Sequence, residues 1–68
     1  MTQAAKVALI REMAVASVLL DEGQKLSIFD GDEKIATIRK QIWDKENEPF
    51  ETAVQRAQLS LVLVLSDN

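Results

Sequence analysis

Cysteine, histidine and tyrosine are absent from this chain of 68 residues, and glycine (two) and proline (one) are nearly so. The first two absences remove the common staples of a small domain, the disulfide and the Cys/His zinc site. They also remove the thiol nucleophile and the usual proton shuttle, so Ser17, Ser27, Ser60 and Ser66 have no histidine to activate them. Gly23 and Gly31 are too few for a phosphate-binding glycine loop. Long apolar runs are missing as well. The longest, 61–65, is far below the roughly 18 residues that span a bilayer, and Arg11 and Glu12 break the N-terminal apolar stretch before it reaches the roughly 7 to 15 positions of a signal sequence. The expectation is a protein of a reducing cytoplasm that does not enter a membrane.

What is present is a nearly even mixture of core and surface residues. Hydrophobic types make up 47% and charged types 28%, with eight Lys plus Arg against eleven Asp plus Glu, a net charge of −3 and a pI near 4.7. That balance repels a phosphate backbone and opposes general nucleic-acid binding. The chain is long enough for one small domain, 1–68. Ordering it costs on the order of 100 kcal/mol at roughly 1.5 kcal/mol per residue, and a domain of this size hides only about 60% of its unfolded surface. Without covalent staples, helix packing and self-association must supply the difference.

Residues 3–21 are rich in Ala, Leu, Val and Met with no helix breaker before Gly23, which predicts a first helix capped by Thr2 and ended near Gly23. Its apolar residues surround the helical wheel, and a helix that is apolar all round must be covered all round. Asp30 and Glu33 have capping-box spacing, and Ile35, Ile38 and Ile42 fall on one stripe, which predicts a second helix over 31–46. Pro49 suits the first turn of a third, 49–65, whose Phe50, Ala53, Val54, Ala57 and Leu61 share a face. Leu59, Val62 and Leu63 lie on the other side, where a monomer should be polar. The expected fold is therefore all-α, three short helices in an intertwined or face-packed homodimer with helices one and three forming a shared core. The alternative is α+β, with a 25–29/34–39 hairpin turning at Asp30-Gly31 and a C-terminal strand at 59–65, where LSLVLVLS alternates.

Chemistry-bearing clusters are sparse. Asp30, Asp32 and Glu33 resemble the start of a calcium loop, but Lys34 stands at its fifth position, no glycine at its sixth and Gln41 at its twelfth. Asp44, Glu46, Glu48 and Glu51, interleaved with Lys45, read as a solvated turn or as an acidic surface for a basic partner. No residue set qualifies as catalytic, cofactor-binding or metal-ligating. The interface candidates are Leu59, Val62 and Leu63 as subunit contact, and Trp43 with Arg39, types enriched at binding hot spots; Trp43 has the plainer alternative of packing near Phe50. The expected function is non-enzymatic: a small acidic protein-binding module, an adaptor, inhibitor or regulator of the size and acidity seen among phage- and plasmid-borne effectors. It would act as a homodimer docking on another protein. A small transcriptional regulator or nucleic-acid-associated subunit is the runner-up, with basic groups assembled across the dimer.

Overall fold

The computed structural model describes residues 2–65, with side chains described through Val62. The order is α1 (Gln3–Leu19), β1 (Lys25–Asp30), β2 (Glu33–Arg39) and α2 (Phe50–Leu65). This is an α+β arrangement of two helices and one antiparallel hairpin, and it overturns the expected all-α, three-helix architecture.

The correction starts at Asp30. Lys25 pairs with Arg39, Leu26 with Ile38, Ser27 with Thr37, Ile28 with Ala36, Phe29 with Lys34 and Asp30 with Glu33. Asp30 and Glu33 are thus a cross-strand pair flanking a two-residue turn, not the ends of a capping box. Gly31 takes φ +62 while Asp32 stays at negative φ, the sign pattern of a II′ hairpin turn, which favours glycine at its first central position. The Ile35/Ile38 spacing that suits a helix is equally met by a strand with one extra residue. The register slips between Ile28 and Phe29, which leaves Ile35 as a bulge. Ile38 then faces the core while Ile35 and Ile42 are exposed. β-branched Ile35, Thr37 and Ile38 favour the strand on propensity too. From Lys40 to Pro49 the chain is irregular.

The hairpin of the α+β alternative is present, but its C-terminal strand is not: 59–65 continues α2 to Leu65. At the other end Thr2 caps α1, its side-chain oxygen accepting from the Ala5 N–H at 3.1 Å. α1 stops at Leu19, with Leu20 already extended, and Gly23 (φ +84) belongs to the following turn, closed by Gln24 N–H to Asp21 C=O at 3.0 Å.

The core lies where α1 crosses α2. Ile10, Met13, Ala14, Ser17 and Val18 meet Ala53, Val54, Ala57 and Leu61, with Ile38 added from the hairpin. Ala14, Ser17, Ala53 and Ala57 have no exposed surface at all, so small side chains let the two helix backbones approach closely. Ser17 satisfies its own hydroxyl by donating to the Ala14 carbonyl at 2.8 Å. The helix–helix core is therefore formed within one chain.

The last carbonyls of α1 have no helical donors of their own. The Gln41 N–H supplies one to Ser17 O at 3.0 Å, and the Lys40 ammonium supplies one to Val18 O at 2.9 Å. These bonds hold the base of the hairpin to the end of α1. The tip has no such anchor. The molecule measures 37 × 26 × 16 Å with a radius of gyration of 12.2 Å, against about 11 Å for a compact chain of this length. No helix among the described residues is long and apolar enough to cross a membrane.

Candidate functional site

Two regions carry the residues singled out from sequence. The first is the irregular segment between β2 and α2. Trp43 lies edge-on to Phe50, ring centroids 5.0 Å apart at 69°, a favourable aromatic geometry. Its indole N–H donates to the Glu48 carbonyl at 3.2 Å, and the Lys45 ammonium sits 5.4 Å above the ring. Trp43 thus packs against the start of the last helix, the plainer of its two expected roles.

The acidic set around it is structural. Asp44 accepts from the Glu46 N–H (3.3 Å) and the Asn47 side-chain amide (2.7 Å), and its C=O accepts from the N–H groups of Asn47 and Glu48. Arg56 reaches back from α2 to both carboxylate oxygens of Glu48 and to the Ile42 C=O. This guanidinium, helped by the Asp44 N–H, holds the Glu48 carboxyl below its ordinary range. A second two-pronged pair joins Arg11 to Glu51 at 2.5 and 3.0 Å and lowers the Glu51 carboxyl by the same mechanism. Glu48 and Glu51 are engaged with arginines of this chain.

Arg39 is not beside Trp43. It stands on the outer face of the hairpin, directly opposite Lys25, along a shallow groove of about 350 Å³ whose lining also includes Gly23, Gln24 and Lys40. Trp43 lines a separate hollow of about 260 Å³ with Val18, Leu19, Leu20 and Lys45. Glu22 and Lys40 border both. Neither Lys25 nor Arg39 takes part in the two ion pairs found among the described residues. Like charges directly opposite in a strand pair repel, so Lys25 and Arg39 give the hairpin base a local positive charge, with Glu22 lining the same groove.

The second region is the outer side of α2. Leu59 is 72% exposed and Val62 43%, one turn apart on the same side of the helix. Leu63 lies in the helix, but its side chain is outside those described. On the outer face of the hairpin, near the tip, Phe29 and Ile35 form another exposed apolar pair. Sequence reasoning does not single these two out, although the Asp30-Gly31 turn signal with alternation on either side is the feature that locates them.

Among the described residues no group of three or more His, Cys, Asp or Glu side chains is placed to hold a metal ion. Nothing in either groove pairs a nucleophile with a base. The arrangement offers surfaces for contact. Comparison with protein-family models, with curated proteins and with solved structures finds no match to this chain.

Proposed function

We propose that the chain is a non-enzymatic protein-binding module of the cytoplasm, a homodimer that docks on another protein as an adaptor, inhibitor or regulator. The observation that carries this reading is the presence of two separate exposed apolar pairs, Phe29/Ile35 on the hairpin and Leu59/Val62 on α2. Contiguous exposed apolar surface marks contact sites on soluble chains, and two such surfaces on different elements suit two contacts, one with a second copy and one with a different protein.

The test is affinity capture from the native host with wild type and Leu59→Glu in parallel. The altered residue is exposed, so the fold should tolerate it. A partner retained by wild type and lost by Leu59→Glu supports docking through α2; equal capture by both removes that surface from the reading.

A second reading, a nucleic-acid-associated subunit, draws on Lys25, Arg39 and Lys40 gathering at the hairpin base. Retention on duplex DNA that falls steeply with salt would favour it, whereas a protein-docking module flows through.

A further inference from the structure

We propose that the second copy is bound through the free edge of β1, antiparallel and in register about Ser27, so that two hairpins join into one four-stranded sheet. This rests on the homodimer reading above and names the surface that makes it.

The hairpin is under-supported in the single chain. A two-stranded ribbon is marginal unless a third strand or a helix covers one face. Here the inner face carries Leu26, Ile28, Ala36 and Ile38, of which only Ile38 is fully buried. Among the described residues neither edge pairs with a further strand, because the sheet has two strands. They are not equivalent. A bulge is one device by which natural edges resist pairing, and the extra residue, Ile35, sits on β2; each strand carries one lysine, Lys25 on β1 and Lys34 on β2. β1 is regular through all six residues, KLSIFD.

That sequence is self-complementary. Opposed residues in an antiparallel pair share a face, so a two-fold axis must relate positions of equal parity. Centred on Ser27, it sets Leu26 opposite Ile28 of the second copy and Lys25 opposite Phe29. The inner face then becomes a continuous apolar row, Ile38 and Leu26 of one copy meeting Ile28 and Ala36 of the other, repeated by symmetry. On the outer face the Lys25 ammonium comes over an exposed aromatic ring, a favourable cation–π placement. Charge agrees at the level of the whole ribbon. The tip carries Asp30, Asp32 and Glu33 with Lys34, a net −2, and the base Lys25, Arg39 and Lys40 with Glu22, a net +2; only antiparallel pairing brings each tip beside the other copy's base.

The backbone fits the same register. A two-residue turn closes on a hydrogen-bonded pair, here Asp30 and Glu33, and alternation along β1 then directs the N–H and C=O groups of Phe29, Ser27 and Lys25 outward. These are the residues that the axis at Ser27 pairs.

The experiment uses the full chain, which has no cysteine. A hydrogen-bonded antiparallel pair holds its Cα atoms about 5.5 Å apart, within disulfide range, so Ser27→Cys should form a covalent dimer under mild oxidation. Thr37→Cys, on the same face one strand further out in each copy, should not, because its two copies stand about 14 Å apart across three strand spacings. Lys25→Asp should weaken the dimer roughly tenfold while leaving the monomer folded, since it turns the repulsive Lys25/Arg39 pair within the hairpin into an attractive one. Mass by light scattering separates the failures. A monomer of 7.6 kDa at tens of micromolar overturns self-association altogether. A stable dimer that neither cross-links at residue 27 nor responds to Lys25→Asp overturns the β1 edge and leaves the homodimer standing.

Discussion

Leu61→Ala and Leu59→Ala make one experiment, because the two leucines have the same chemistry, lie two residues apart and differ only in where the helix points them. Positions two apart on a helix are separated by about 200°, whereas on a strand they share a face. Leu61 is 1% exposed and Leu59 72%. Truncating a buried leucine removes its transfer free energy and leaves a cavity, together about 2–5 kcal/mol. Truncating an exposed one stays within about 0.5 kcal/mol. A chain of this length has about 3–10 kcal/mol of stability in all, so Leu61→Ala removes a large share of it. With an unfolding entropy of about 2.1 cal/mol/K per residue, 1 kcal/mol corresponds to about 7 °C here. Leu61→Ala should therefore lower Tm by about 15 °C or more, and Leu59→Ala by under about 4 °C. Should Leu61→Ala fail to fold, Leu61→Val gives the same contrast at smaller amplitude. Melting followed by circular dichroism at two protein concentrations keeps any subunit contribution visible as concentration dependence. Similar losses at both positions would refute a helical 59–65 and return the segment to a strand.

Ser17→Ala should be neutral or stabilising by about 0.5 kcal/mol, because the hydroxyl bonds only to a carbonyl of its own helix and alanine is the better helix former; a loss above about 1 kcal/mol in urea titration would show that the hydroxyl serves something else. Glu48 and Glu51 are held below their ordinary range by Arg56 and Arg11. Their stabilising contribution is present above the unfolded value near 4.5 and is lost as pH falls through the lowered folded values. Between pH 5 and pH 3, the urea midpoint of wild type should fall more steeply than that of Glu48→Gln/Glu51→Gln, and parallel profiles would dismiss both pairs as contributors.

The helices at the two ends are legible because their signals are local. Thr2 precedes an uninterrupted run of helix formers, Pro49 introduces the second, and the face holding Ala53, Val54, Ala57 and Leu61 follows a 3.6-residue period. The middle is not legible in the same way. Ile35, Ile38 and Ile42 fit a helical stripe, while Leu26, Ile28 and Ile38 fit alternation, and local spacing cannot distinguish a helix from a strand containing one bulge. Asp30 and Glu33 are equally ambiguous, since capping-box spacing and the two flanks of a two-residue turn are the same three-residue step. Of the interface candidates, exposure of Leu59 and Val62 follows from the wheel of α2. The separation of Arg39 from Trp43 depends on the strand that the middle segment turns out to be.

By itself the sequence determined which groups this protein lacks: no thiol, no imidazole, and too few glycines for a phosphate-binding loop. It also located the first helix and the start of the last, since capping and periodicity act within a few residues, while leaving 59–65 open between helix and strand. Only the tertiary structure decided the rest. The hairpin is held where Gln41 and Lys40 meet the orphan carbonyls of Ser17 and Val18, bonds spanning more than twenty residues that no local pattern encodes. The helix–helix core closes within one chain because Ala14, Ser17, Ala53 and Ala57 are small at the positions that meet. Smallness at a contact is visible in a sequence only once the contact is known.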